Sequence, residues 1–475
     1  MIGVSLPALS YRRRLLVLTI CGLSLFVVSL DITIVNVALP SIQREFGATM
    51  SNLQWTIDAY TVVMASLLML SGSMGDRLGR RRVFQAGLVL FTLASLLCGI
   101  APDIEVLVVF RMVQAVGGSM LTPVAMSIVT NTFTDPAERA RAIGVWAAVF
   151  GVSMALGPVA GGALVDAAGW RSVFWVNVPI GAVAVVLAAL LVPESKAPKP
   201  RRVDPVGQVL MIVALGSLIY GVIEAPHARP ALTIGCFALS ALAIGCLVPY
   251  ERQCEEPLID PKFFTSVPFS GAILTAVCAI AALGGFLFLN AIYLQNVRGF
   301  SPLQAGLLTL PAAVALIATP PVSGRIVGSR GPRLPLMVGG GAMALSGLLF
   351  ARLTADSPIL LPLAAYLVFG FGLGLINPPI TSSAVSGMPR DQAGVAAAVA
   401  STSRQVGSSL GVAVLGTVVT SHLDGPLATA FAPASRPAWW IMAGCGVVVL
   451  ALGFLITTKW AQRTKFEEKV QVQVS

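Results

Sequence analysis

A run of about twenty apolar residues recurs along almost the whole chain, and nothing else in the sequence limits its fold so strongly. Each run can cross a hydrocarbon layer about 30 Å thick as a helix. Windows of about 19 residues place fourteen candidate spans near 15–38, 52–72, 83–101, 104–125, 140–163, 172–192, 205–223, 231–249, 268–291, 303–326, 334–352, 358–378, 393–420 and 438–458. Only 11% of the 475 residues are charged, where a soluble protein carries about 25%. The pattern predicts an all-α integral membrane protein, and it lacks the short alternating strands of a transmembrane barrel. The first run follows a basic patch as a signal peptide does. It continues past twenty residues without a small-residue cleavage site, and is read as a retained span.

Orientation follows from basic residues. With the N-terminus inside, the cytoplasmic segments hold 23 Lys and Arg and the outer loops 6. This asymmetry over an even number of spans predicts that both termini are cytoplasmic. The net charge of +10 is then a topology signal and calls for no nucleic-acid partner. Seven cysteines are scattered without a CxxC pair, which reads as small packing residues rather than a metal or disulfide framework.

Within this apolar background, "SLDITIVNVALP" (29–40) places Asp31 in a span. A central charge there costs roughly 2.5–3.5 kcal/mol even on mild insertion scales. At 1.5 Å per residue, Asp31, Asp58 and Arg111, from spans one, two and four, fall at one depth. A structural Asp–Arg pair accounts for two of them and leaves one carboxylate over. The trio therefore reads as a proton-coupling site, with Asp31 the main acid, Arg111 setting its proton affinity, and Asp58 a second protonation or cation-contact site.

The chain also repeats itself. "GSMGDRLGRRR" (72–82) is echoed by "GRIVGSRGPR" (324–333), and Gly144, Gly157 and Gly161 match Gly394, Gly407 and Gly411. This predicts two six-helix halves joined by two inserted spans, divided as 1–203, 204–250 and 251–475. Repeated membrane halves are a transporter architecture with the substrate site between them.

Several stretches resemble one family. Gly72, Asp76, Gly79, Arg80 and Arg81 fit the G-x-x-x-D-x-x-G-R-[KR] loop of the major facilitator superfamily. Arg111, Gln114 and Gly117 fit its R-x-x-Q-G-x-G helix-four motif, with Ala115 in place of the first glycine. Gly157, Pro158, Gly161 and Gly162 fit the G-P-x-x-G-G signature of its antiporters, preceded by Gly144 and with Ser153 where a glycine is usual. "LDITIVNVALPSI", "WTIDAYTVV", "WRSVFWVNVPIG" and "AIYLQNVRGFSPLQAGLLTLP" extend the resemblance along nearly the whole chain, to the fourteen-helix drug:proton antiporter branch. The resemblance implies a major facilitator fold of two six-helix bundles plus two inserted helices. It also implies a cytoplasmic-side latch at Asp76 and the arginines, and proton-driven export of a small molecule across a bacterial inner membrane. Some branch members carry acids in spans ten and thirteen. This chain has none there, and offers Arg404 and Gln405 as candidate cavity residues, so strongly cationic compounds are the cargo least expected.

No P-loop occurs. "GSSLG" (407–411) fits G-x-S-x-G formally, but it lies in a span and is explained by the repeat. The expected protein is a transporter without catalytic residues, metal or cofactor, using the proton gradient, with protons, lipid and a small molecule as partners, and monomeric. A multidrug pump and a dedicated exporter of one metabolite remain alternatives; a membrane enzyme fits poorly, because the loops are short.

Overall fold

A computed structural model describes residues 10–197, 203–254, 256–386, 388 and 393–464, and every regular element among them is helical. The long helices are α1 (Tyr11–Phe46), α2 (Met50–Leu78), α3 (Arg80–Cys98), α4 (Ile104–Thr132) and α5 (Pro136–Ala168). Next come α6 (Ser172–Leu191), α7 (Pro205–Glu224) and α8 (Pro230–Gln253). Two further helices, α9 (Val267–Val297) and α10 (Pro302–Arg330), follow. The last four are α11 (Arg333–Phe350), α12 (Leu360–Val385), α13 (Ala393–Ser421) and α14 (Leu427–Leu455). Within them, α6 breaks at Val176, α9 ends in a π turn from Tyr293, and α10 is interrupted at Thr309.

Thirteen helices among the described residues are long and apolar enough to cross a membrane, one fewer than the sequence led us to expect. The exception is α13, 29 residues long, which carries Ser401, Thr402, Ser403, Arg404 and Gln405 in succession. It packs against α9 and α2, so buried Thr402, Ser403 and Ser409 meet protein rather than lipid. By contrast, α8 is strongly apolar with only 11% of its most apolar window buried. Its Ile234 and Leu242 are exposed, as suits a helix whose solvent is the bilayer.

Helix ends differ from the expected spans because caps, not hydropathy, set them. The 36 residues of α1 extend about 54 Å, well beyond a hydrocarbon core, and the helix stops at Gly47 with φ 61°. Thr49 and Asn52 form a capping box that starts α2, and Asp103 Oδ1 accepts from Val106 N at 2.8 Å to start α4.

Helices pair as α1 with α5, α2 with α4, α3 with α4 and α3 with α6, and again as α9 with α13, α10 with α12, α11 with α12 and α11 with α14. The first set meets the second where α2 lies on α13, α5 on α10 and α1 on α9, while α7 lies against both α2 and α13. We call the face holding the first turn of α1 and the last turn of α14 the near face, and the opposite one distal. Met1 and Ser475, the termini assigned to the cytoplasm, lie outside the described residues.

Candidate functional site

The two sets of helices are fastened at the distal face. Among the described residues, every hydrogen bond joining α1–α6 to α9–α14 lies in that half. Gln54 Nε2 donates to the carbonyls of Val412 and Ala413 at 3.1 and 2.9 Å. Gln295 Nε2 donates to Val37 O at 2.9 Å, and Asn296 Nδ2 to Gln43 Oε1 at 2.9 Å. Asp166 Oδ2 accepts from Ser301 Oγ at 2.8 Å and Leu303 N at 3.1 Å, and Ser409 Oγ donates to Asp58 Oδ1 at 2.9 Å.

Asp31 and Arg111 meet as the sequence led us to expect, at 2.5 Å, with side chains 0% and 1% exposed. Their surroundings satisfy nearly every polar atom. Asp31 Oδ2 takes Arg111 Nη1, while Oδ1 accepts from Gln114 Nε2 at 2.9 Å and Asn177 Nδ2 at 3.1 Å. Arg111 also donates to Gln114 Oε1 at 2.7 Å and to Thr56 O at 3.2 Å, and its guanidinium lies 4.2 Å from the Tyr60 ring centroid. Ser95 Oγ accepts from both Gln114 and Asn177. Ser95 and Asn177 belong to this network and the motifs did not reveal them. The available signal was depth: Asn177 falls in the quoted "WRSVFWVNVPIG" stretch, a polar residue inside a span.

Asp58 does not join that network, contrary to the grouping expected from depth. It is 0% exposed. Its Oδ1 accepts from Ser409 and, at 3.3 Å, from Thr61 Oγ1, and its Oδ2 has no hydrogen-bond partner. A helix places residues 100° apart, so neighbouring turns at one depth face different helices: Thr56 O turns to Arg111, and Asp58 turns to α13.

The motif glycines divide in the same way. A Cβ on Gly157 would meet Thr33 Oγ1 at 1.8 Å and one on Gly161 would meet Ile34 Cγ1 at 2.7 Å, both on α1. One on Gly162 would meet Pro302 O at 2.4 Å on α10, so only Gly162 of these three faces the other set. Pro158 shares that seam, because its carbonyl lies 2.2 Å from a Cβ built on Gly306. Gly117 packs on the Phe91 backbone of α3, whereas a Cβ on Gly144 meets nothing within 4 Å.

Among the described residues, the loop expected to act as a latch bonds within the first set of helices. Asp76 Oδ1 accepts from Arg80 Nε at 3.0 Å and Nη2 at 2.6 Å. The loop is tied instead to the segment after α6. Arg80 N donates to Ser195 O at 2.9 Å, Ala197 N to Asp76 O at 3.1 Å, and Arg81 N to Glu194 Oε1 at 3.2 Å. Gly79 holds φ 116°, and a Cβ there would strike Glu194. Gly72 is looser, with Pro123 at 3.7 Å. In α13, the Arg404 Nη2 donates to Thr381 Oγ1 at 2.8 Å, with Gln405 half-buried beside it. Among the described residues Arg404 forms no ion pair.

Three kinds of comparison place this arrangement. The chain is 39% identical over 418 residues to the multidrug resistance protein Stp of Mycobacterium tuberculosis, covering 88% of this chain and 78% of that one. It is 35% identical over 420 residues to the tetracenomycin C resistance and export protein of Streptomyces glaucescens, with the same coverages. It is also 35% identical over 423 residues to the multidrug efflux pump LfrA of Mycolicibacterium smegmatis, covering 87% and 83%. In fold it resembles a bacterial homologue of the human lysosomal transporter Spinster solved in an inward-facing, unoccupied conformation. That match has a TM-score of 0.70 and 19% identity over 97% of this chain and 99% of the other. The family model of the Major Facilitator Superfamily matches residues 21–412. The chain is a multi-pass membrane protein of the major facilitator superfamily.

Proposed function

We propose that this protein is a proton-coupled efflux pump for small amphipathic, drug-like molecules, with both termini in the cytoplasm. The relatives named as multidrug and antibiotic exporters support the cargo class. The helix pairs of α1–α6 recur in α9–α14, and Gly157 and Gly161 lie on α1 as Gly407 and Gly411 lie on α9. Both facts support two halves that rock about the central site, with α7 and α8 inserted between them. In the present conformation the distal side is fastened.

One observation carries the coupling: Asp58 Oδ2 is buried without a partner while Oδ1 bonds across the two halves. A proton on Oδ2 removes an uncompensated buried charge, whose burial is otherwise expensive. Separation of α2 from α13 at the distal face breaks the Ser409 bond, opens the carboxyl to water and lets the proton leave. Asp31 is the weaker candidate, because Arg111 and the amides of Gln114 and Asn177 already occupy both of its carboxyl oxygens. In proteoliposomes with an imposed pH gradient, Asp58→Asn should abolish gradient-driven efflux while leaving substrate exchange at equal pH. Full proton-driven efflux by Asp58→Asn, with loss in a well-folded Asp31→Asn, moves the role to Asp31.

Some relatives carry the names of single antibiotics, so export of one metabolite is the second reading. A susceptibility screen of diverse compounds in a pump-deleted host separates the two.

A further inference from the structure

A narrow crevice lies between the halves, where α1 and α5 of the first set face α9 and α10 of the second. It has space for a group about the size of a water molecule. Its polar lining comes from Thr33, Asn36, Asn290, Gln295 and Thr309, with Val37 and Leu294 among the apolar walls, and no ionisable side chain touches it.

The hydrogen-bonding balance of this lining is one-sided. Asn36 donates Nδ2 to Ile32 O at 2.8 Å and Gln295 donates Nε2 to Val37 O at 2.9 Å. Flipping either amide would set oxygen against oxygen, so these orientations are fixed. The other ends, Asn36 Oδ1 and Gln295 Oε1, are buried and unpartnered, on residues 5% and 7% exposed. Thr33 spends its hydroxyl proton on Leu30 O and Thr309 spends its own on Gly306 O, so both present lone pairs. Asn290 already accepts from Tyr366 through Oδ1 at 2.5 Å. The crevice thus offers several acceptors and has few donors to meet them.

We infer that this crevice is the polar end of the substrate site, and that it selects uncharged amphipathic molecules carrying a hydroxyl or N–H donor. Such a group fills the space and shares its one proton between Asn36 Oδ1 of one half and Gln295 Oε1 of the other, while the apolar remainder of the ligand lies toward the near face. A methyl ether in place of the hydroxyl leaves both acceptors orphaned, and buried polar groups without partners are what make such sites discriminate strongly. A cation finds no counter-charge there, since Asp31 is committed to Arg111 and Asp58 faces α13.

This inference rests on the efflux reading, and its test separates the two. A pump-deleted host expressing the full chain is loaded with a neutral phenolic fluorophore or with its O-methyl ether, and initial export is measured with protein levels matched. Wild type should export the phenol with an apparent KM at least tenfold below that of the ether. Asn36→Leu and Gln295→Met should each raise the KM for the phenol toward the ether's value while leaving ether export within twofold, which also reports an intact fold. Equal KM values in wild type, or variants that depress both probes alike, overturn the inference and leave efflux standing; the latter outcome marks the crevice as a water-filled part of the seal. Export of neither probe nor any other compound by well-inserted wild type overturns the efflux reading and this inference with it.

Discussion

The seam between α5 and α10 allows a single methyl group to test whether the distal fastening governs the transport cycle. In Gly162→Ala, the new Cβ would sit 2.4 Å from Pro302 O and 2.6 Å from Leu303 Cα. Both are backbone atoms, which cannot rotate away, so the seam must open by about 1 Å to restore ordinary contact. Overpacking of this kind costs about 1–3 kcal/mol. The cost falls only on the distally closed state, because Gly162 meets α10 only there, whereas any gain in helix propensity applies to both states and cancels. At 1.4 kcal/mol per tenfold, the balance should move about 5- to 150-fold toward the distally open form. Gly161→Ala is the control. Its Cβ meets Ile34 on α1 within one half, so it should lower stability by about 1 kcal/mol or more without moving the balance. Spin labels on the distal ends of α5 and α10 in nanodiscs, read by pulsed dipolar spectroscopy, would report both populations. A wild-type distance distribution in a well-inserted Gly162→Ala variant, or an equal shift in Gly161→Ala, refutes the reasoning.

Three further outcomes are expected. Asp76→Asn should lower transport of every substrate by a similar factor, since Asp76 bonds Arg80 at the near face, away from the crevice between the halves; a substrate-selective loss in uptake-corrected efflux assays counts against this. Arg404→Gln should improve export of cationic dyes, because it removes a repulsion that, for a cargo within about 10 Å, amounts to about 0.4–1.7 kcal/mol between water-like and protein-like screening, or about 2- to 20-fold; unchanged dye export contradicts it. Glu224→Leu removes the acceptor of Trp55 Nε1, 2.8 Å away, and should lower thermal stability by about 1–3 kcal/mol in a fluorescence melt, while an unchanged melt removes α7 docking as its cause.

Much of the membrane fold was legible because the bilayer enforces it: only helices and closed barrels satisfy their backbone in hydrocarbon, and long apolar runs report helices. The Asp31–Arg111 pair was legible for the same reason, since each charge demands a partner. Other features depend on rotation about a helix axis, which depth does not encode. Asp58 sits level with Arg111 but faces Ser409, and Gly161 and Gly162 are neighbours in sequence that pack against different halves. The acceptors Asn36 and Gln295 left no mark in the motifs because they act by what their amides leave unbonded. The helix α13 fell short of the apolar pattern because its polar residues are shielded by α2 and α9 rather than by length.

The placement of α7 makes the two seams between the halves unlike each other. Among the described residues, hydrogen bonds tie it to α2 at both ends, by Gln208 Nε2 to Ser66 O at 2.5 Å and by Trp55 Nε1 to Glu224, and to α13 at the distal end, where Thr417 Oγ1 donates to Val222 O at 3.0 Å. A molecule dissolved in the lipid therefore meets a screened flank along α2 and α13. On the opposite flank, among the described residues, α5 lies directly on α10. The two flanks of the interface between the halves are thus built differently, one roofed by α7 and the other sealed by the direct contact of Gly162 with Pro302 and of Gly306 with Pro158.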